Sequence, residues 1–158
     1  MQTLVYKHGI GRHFEIIRYP DGQQNVKLDM GYFNDPKQPV SIECSIRSFM
    51  ELDVLLSLVA AFRKNDFHVS HIDFRFMFGM RSDRAFELGM PNYFRDVVAP
   101  ILNNLKVKCL FLYPHSQVAT SSVINGSHYE KNIPGEYDCF TVSADSSFGW
   151  HSLRFTNY

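Results

Sequence analysis

The 158-residue sequence has no excess of either charge, no long apolar run and few cysteines. Its 16 Lys and Arg residues balance 16 Asp and Glu residues, so no net field draws the chain to nucleic acid or to an anionic membrane. It lacks a membrane-length apolar run and a signal-peptide core, which predicts a soluble, cytoplasmic protein. Cys44, Cys109 and Cys139 lie far apart in or beside apolar runs, which favours buried reduced thiols over a disulfide or a zinc site.

Two common nucleotide-binding motifs are also missing. The sequence contains neither Gly-x-x-x-x-Gly-Lys-Ser/Thr nor Gly-x-Gly-x-x-Gly, so it predicts neither a P-loop nor a Rossmann dinucleotide site. The length fits one domain, which could bury roughly 70% of its unfolded surface without a metal or disulfide to stabilise it.

Strand-like and helix-like segments alternate along the chain. A helix is expected over Phe49–Lys64, behind a capping box of Ser48 and Glu51. A second helix should follow Asn92 and kink or restart near Ala99, because Pro100 interrupts its apolar stripe. Strands are expected at Leu4–Tyr6, Phe14–Arg18, Val26–Met30, Val40–Ser45, Ile72–Phe78, Val107–Leu112 and Asp138–Val142, and a loop at 126–135.

Repeated strand, helix, strand units predict an α/β domain with a mostly parallel sheet flanked by helices. The spacing of Phe74, Phe76 and Phe78 by two residues predicts that they share one face of a buried strand. His68 and His71 are interpreted as surface residues, since no further metal ligand accompanies them.

Three polar segments each follow an apolar run. In a parallel sheet the ends of such strands open onto one crevice. Together the segments supply cations, an imidazole and a carboxylate, which are the parts of a polyphosphate and divalent-metal site. The segments are Arg81-Ser82-Asp83-Arg84, Pro114-His115-Ser116 and Ser143-Ala144-Asp145-Ser146.

Four segments, in this order over residues 3–146, resemble the ribose-phosphate pyrophosphokinases, also called phosphoribosyl-diphosphate synthetases. Tyr19-Pro20-Asp21-Gly22-Gln23 is similar to the family's Phe-x-Asp-Gly-Glu nucleotide loop, and Arg81-Ser82-Asp83-Arg84 to its Arg-Gln-Asp-Arg segment. His115 falls at its Asp-x-His, and Ser143-Ala144-Asp145 at its Ser-Pro-Asp. Gln23, Ser82 and Tyr113 depart from the family's residues.

The resemblance implies the N-terminal, nucleotide-binding half of such an enzyme, with a phosphoribosyltransferase-like fold. The family transfers the diphosphoryl group of Mg-ATP to ribose 5-phosphate in nucleotide precursor synthesis, in oligomers that share nucleotide sites between subunits. His115 and Asp145 would hold Mg²⁺, the catalytic loop and the ribose 5-phosphate site would come from a second half, and the partner would be another copy or a synthetase. The implied nucleotide-binding residues are Tyr19, Asp21, Gln23, Arg81, Ser82, Asp83 and Arg84.

The residues alone leave alternatives open at each position. Tyr19–Gln23 is also typical of a plain hairpin turn, Arg81–Arg84 of an exposed salt-bridge cluster, and His115 of a structural loop histidine. Asp145 is equally typical of a helix cap. For the whole chain, the alternatives are a non-catalytic regulatory or interaction domain that joins a full-length synthetase, and a fragment with no independent role.

The family pattern stops after Asp145, so we expect a domain over residues 1–146 and a divergent tail over residues 147–158. Phe148, Trp150, Leu153 and Phe155 of the tail fit neither a clean helix nor a clean strand. We expect these apolar side chains to pack against the domain, since each buried one is worth about 1.5–3 kcal/mol.

Overall fold

A six-stranded, mostly parallel sheet organises the structure, which is a computed structural model. It describes residues 1–7, 10–85, 87–112, 114 and 116–129. Within these residues the strand order is β2-β1-β5-β6-β7-β8, and only β2 runs antiparallel to its neighbour. The strands are β1 (Gln2–Lys7), β2 (Ile10–Gly11), β5 (Val40–Ile46), β6 (Val69–Met77), β7 (Lys108–Leu112) and β8 (Gly126–Tyr129).

A separate antiparallel hairpin lies between β2 and β5 in the chain. It consists of β3 (Phe14–Arg18) and β4 (Gln24–Leu28), in a register that pairs Ile16 with Val26. The inward residues of β4, Val26 and Leu28, belong to the same buried core as the sheet and the first helix. The hairpin therefore packs on the domain as an additional layer.

The first helix, α1 (Phe49–Lys64), has the predicted bounds. Ser48 accepts a hydrogen bond from the backbone N–H of Glu51 at 3.3 Å, and Glu51 in turn accepts one from the backbone N–H of Arg47 at 2.5 Å. The first contact satisfies a backbone donor that the start of the helix leaves without a partner, and the second ties Glu51 to the residue before the cap. The buried stripe of the helix is Leu52, Val54, Leu55, Leu58, Val59 and Phe62.

The second helix is interrupted where Pro100 predicts an interruption. Asn92 caps its start by accepting a hydrogen bond from the backbone N–H of Arg95 at 3.0 Å. A π-helical turn at Phe94–Val98 then gives way to α2 (Ala99–Asn104). Because proline lacks a backbone N–H and its ring crowds the preceding turn, the helix widens before it and restarts at Ala99.

The sheet buries one apolar face. Ile42 and Cys44 of β5, together with Phe74 of β6, are at most 1% exposed, and the ring of Phe74 stacks on that of Phe111 with centroids 5.0 Å apart. The intervening residue Glu43 lies on the other face. There Arg75 contacts the Glu43 carboxylate at 2.7 Å and that of Asp73 at 3.7 Å.

The prediction that Phe74, Phe76 and Phe78 share one face is wrong. A register shift between Cys44 and Ser45 pairs Phe74 with Cys44 but Phe76 with Ser45. This irregularity turns Phe76 away from the core, and its side chain is 40% exposed. Phe78 lies beyond the end of β6.

The predicted loop at 126–135 is also wrong at its start, because β8 pairs in parallel with β7. Strand β6 begins three residues before the predicted Ile72, and β4 begins at Gln24 where Val26 was expected. Besides β8, two further short elements were not predicted, namely β2 and the helix α3 (Gln117–Ser121). The predicted strand Asp138–Val142 lies outside the described residues.

The α/β fold with a mostly parallel sheet flanked by helices is confirmed. Strands β5, β6 and β7 all end at the same edge of the sheet, which we call the carboxyl edge. Among the described residues, no helix has the length and apolar character that crossing a membrane requires.

Candidate functional site at the carboxyl edge of the sheet

The predicted nucleotide loop, Tyr19–Gln23, forms the tip of the β3–β4 hairpin. The backbone N–H of Tyr19 donates to the carbonyl of Gln23 at 2.9 Å, and that of Gly22 to the carbonyl of Tyr19 at 3.0 Å. Asp21 accepts a hydrogen bond from the backbone N–H of Gln23 at 3.1 Å, which is a contact of an ordinary Asx turn. Gly22 has φ +91°, a backbone conformation that favours glycine.

Gln24, which follows the tip, holds the hairpin against α1. Its backbone N–H donates to the Asp53 carboxylate at 3.1 Å, and its side-chain amide donates to the carbonyl of Met50 at 2.8 Å. The carbonyl of Gln24 accepts a hydrogen bond from the Ser57 hydroxyl at 3.2 Å. Gln24 is only 5% exposed. Since α1 begins close to the end of β5, these bonds place the hairpin tip at the carboxyl edge.

The segment Arg81-Ser82-Asp83-Arg84 leaves the end of β6 and is anchored through its backbone. The backbone N–H of Ser82 donates to the carbonyl of Gly79 at 2.8 Å, and the carbonyl of Ser82 accepts from the backbone N–H of Phe94 at 3.1 Å. The side-chain amide of Asn92 donates to the carbonyl of Asp83. Arg81 and Arg84 reach the surface, whereas Asp83 is partly buried.

A side-chain contact joins the segments that follow β6 and β7. The Ser116 hydroxyl donates to the Asp83 carboxylate at 2.5 Å and accepts a hydrogen bond from the backbone N–H of Ala119 at 3.1 Å, so it also caps α3. The two segments thus lie together at the carboxyl edge, as their positions after neighbouring parallel strands predict. Asp83 engages Ser116, a contact that the sequence did not reveal.

The two predicted metal ligands, His115 and Asp145, lie outside the described residues, as does Tyr113. Within the part of the chain that is described, no group of three or more His, Cys, Asp or Glu side chains could hold a metal ion. His71, interpreted as a surface residue, is partly buried and its ring contacts the Ser70 hydroxyl at 3.0 Å.

Three aromatic rings that sequence reasoning missed form a cluster at the carboxyl edge. The ring of Phe49 lies 5.3 Å from that of Phe78 and 6.5 Å from that of Tyr93, and the Phe78 and Tyr93 rings are 6.5 Å apart. Phe49 is 42% exposed, and the other two rings are half-buried. The sequence gives one sign of this cluster: Phe49 begins α1 but does not belong to the apolar stripe that the helix buries.

Burial changes the acidity of several groups near the core. It raises the pKa of Tyr6, at the end of β1, to about 12, with a smaller contribution from the negative charge of Glu51. Burial also raises the pKa of the Cys44 thiol, and that of the Cys109 thiol to about 12. Both are free and buried, as predicted, and Cys139 lies outside the described residues. Neither Cys44 nor Cys109 therefore has the accessible thiolate of a reactive cysteine.

Comparison with known proteins identifies a structural neighbour. No family model and no curated protein matches the sequence. Among solved structures, the fold is similar to that of the phosphoribosylpyrophosphate synthetase from Mycobacterium smegmatis, with a TM-score of 0.59 and 13% sequence identity. The similarity covers 82% of this chain and 49% of that protein, so the chain spans about half the length of its neighbour. At this identity the likeness shows that the two share an α/β fold.

Proposed function

We propose that this chain is a ribose-phosphate pyrophosphokinase-like nucleotide-binding half that binds Mg-ATP. The observation that carries the proposal is the contact between Asp83 and Ser116, which joins the segments after β6 and β7 at the carboxyl edge. Gln24 holds the hairpin tip at the same edge. These segments resemble that family in order and spacing, and the fold is similar to that of a phosphoribosylpyrophosphate synthetase.

In this proposal the arginines bind phosphate and the hairpin tip binds the nucleoside. Arg81 and Arg84 carry planar guanidinium groups, which suit phosphate oxygens and are exposed at the carboxyl edge. The Asp21 carboxylate would accept hydrogen bonds from the adenosine, and the Gln23 side-chain amide would donate or accept them. The Asp83 carboxylate, oriented by Ser116, would hold the segment in place, and Ser82 would offer a hydroxyl to the ligand.

The proposed reaction is transfer of the β,γ-diphosphoryl group of ATP to the C1 hydroxyl of ribose 5-phosphate, with AMP as the leaving group. His115 and Asp145 would hold the Mg²⁺ ion, which neutralises phosphate charge, and Arg81 would add to that neutralisation. Rate acceleration would then come from positioning and electrostatics rather than from a covalent intermediate. Ribose 5-phosphate binding would require a second half, supplied in a homo-oligomer or in a complex with a synthetase.

Calorimetric titration of the full chain with a non-hydrolysable ATP analogue, with and without magnesium, tests nucleotide binding. Arg81→Ala should weaken binding about tenfold or more, since hydrogen bonds to charged groups contribute about 1.5–3 kcal/mol. Lys108→Ala is the matched control, because Lys108 is an exposed cation at the start of β7, on the opposite edge of the sheet. Absence of binding by the unaltered chain would overturn the proposal, and equal binding by Arg81→Ala would remove Arg81 from the site.

The proposed reaction needs a separate test. Mixing the chain with the separately produced second half of a synthetase should yield phosphoribosyl diphosphate, and His115→Ala should abolish most of that yield. Product formation by the chain alone would contradict the need for a second half. Nucleotide binding and complex formation without any product would instead favour the non-catalytic interaction domain.

A further inference from the structure

The described helices all lie on one face of the sheet. Strands β1, β5, β6, β7 and β8 follow one another across the sheet in chain order, so each crossover between them runs in the same direction. Right-handed crossovers then place α1, the second helix and α3 on the same face. The buried side chains of the strands, such as Leu4, Ile42 and Phe74, share one core with α1 and the hairpin on that face. We call the opposite face of the sheet the second face.

The second face carries apolar side chains that lie outside the core. Val5 of β1 and Leu110 of β7 lie in one row across it, joined through the register pair Glu43 and Asp73. Phe76 lies on the same face, because the irregularity in β6 turns it away from the core. Val5 and Phe76 are 38% and 40% exposed, and Leu110 is half-buried. None of these three apolar residues belongs to the core that the described residues form.

Such a surface calls for a cover. Parallel strands occur almost only in sheets whose two faces are both covered, and neighbouring exposed apolar side chains mark a surface that another segment or molecule covers. The ion pairs of Arg75 with Glu43 and Asp73 interrupt the apolar surface. The second face therefore suits a cover that mixes apolar with polar side chains.

We propose that the segment 147–158 covers the second face of the sheet. This inference goes beyond the proposed function and does not depend on nucleotide binding. The segment contains no Asp or Glu, so it places no further negative charge beside Glu43 and Asp73. Between its Ser, Thr and Asn residues it offers four large apolar side chains, namely Phe148, Trp150, Leu153 and Phe155.

The segment can reach this face, and its tether favours it over a second copy of the chain. Seventeen residues, 130–146, separate it from Tyr129 at the end of β8. An extended chain of that length spans up to roughly 56 Å. Strands β8 and β1 are four strand spacings apart, about 19 Å. The effective concentration of a tethered segment is on the order of millimolar, which a second copy matches only in concentrated solution.

Photocrosslinking from the second face tests the proposal on the full chain. With p-benzoylphenylalanine in place of Phe76, irradiation should join position 76 to the segment 147–158 of the same chain, as mapped by mass spectrometry of the digested product. The control carries the same group in place of Val118, which is exposed on α3, on the helix side of the sheet. It should give no crosslink to this segment. A product that joins two chains would assign the face to a second copy and overturn the inference, as would equal crosslinking from both positions or none from position 76.

Trp150, the only tryptophan in the sequence, gives a second measurement. Acrylamide should quench its fluorescence less in the folded chain than in the urea-unfolded chain. The double variant Val5→Glu with Phe76→Glu removes two apolar contacts and should shift the equilibrium toward the uncovered face about 100-fold or more, which exposes Trp150 to the quencher. Val118→Glu is the matched control and should leave the quenching unchanged. Equal quenching in the folded and unfolded chains would overturn the inference, and so would protection of Trp150 that the double variant does not reduce.

Discussion

Replacing Ser116 with Ala should disconnect the two segments at the carboxyl edge and lower the stability of the domain. The Ser116 hydroxyl donates to Asp83 at 2.5 Å and caps α3 through the backbone N–H of Ala119 at 3.1 Å. Loss of an N-cap costs typically about 1 kcal/mol. Loss of a hydrogen bond to a charged group costs about 1.5–3 kcal/mol, and partial exposure of both residues favours the lower end. We therefore expect Ser116→Ala to lower the free energy of unfolding by about 2–3 kcal/mol in total.

Urea unfolding of the unaltered chain, Ser116→Ala, Asp83→Ala and the double variant isolates the energy of the contact between the two segments. In a double-mutant cycle with Asp83→Ala, the capping contribution cancels, because it does not involve Asp83. The coupling energy should be about 1 kcal/mol or more, and Ser116→Thr, which keeps a hydroxyl, should lose less than half as much stability as Ser116→Ala. If the two single effects add within about 0.5 kcal/mol, Asp83 and Ser116 do not hold the segments together, and the reasoning is refuted.

Two further predictions concern pH and backbone conformation. The pKa of Tyr6 is about 12 in the folded chain, above its usual 10, so the folded state keeps a proton that the unfolded state releases between these values. The free energy of unfolding should therefore fall as pH rises from 10 to 12. In chemical unfolding, Tyr6→Phe should make the free energy of unfolding less dependent on pH over this range. An equal dependence in both proteins would refute the role given to Tyr6. Gly22→Val should lower the free energy of unfolding by about 1 kcal/mol or more, because the backbone at residue 22 has a φ of +91°. A steric clash would not contribute, since a Cβ at this position meets nothing within 4 Å. Gly22→Asn should cost less, and equal melting temperatures for the two variants would contradict this explanation.

Local signals predicted the two longer helices well, although not the short α3. The bounds of α1 follow from Ser48, Glu51 and an apolar stripe within one segment, all of which are visible without tertiary structure. The restart at Ala99 follows from the chemistry of Pro100 alone. In both cases the sequence neighbours of a residue determine its conformation.

Tertiary pairing explains the strands that were mispredicted. Strand β8 consists of Gly126, Ser127, His128 and Tyr129, a polar sequence with little intrinsic strand signal, and it forms because β7 offers it a hydrogen-bonding partner. The reversal of Phe76 depends on a register shift between β5 and β6, which no spacing within β6 reveals. Pairing between distant segments overrides the local pattern in both strands.

The candidate site shows the same division between local and long-range information. That Arg81–Arg84 and Ser116 occupy one edge follows from parallel strands, because the ends of neighbouring strands must lie side by side. The individual contacts do not follow from it, since Ser116 meets Asp83 across 33 residues and Gln24 meets Asp53 across 29. Phe49, Phe78 and Tyr93 illustrate the limit: each looks like an ordinary apolar residue in its own segment, and only the arrangement of α1, β6 and the second helix makes them one surface. The sequence thus indicates where on the sheet to look for a ligand, while the packing of distant elements decides which side chains meet it.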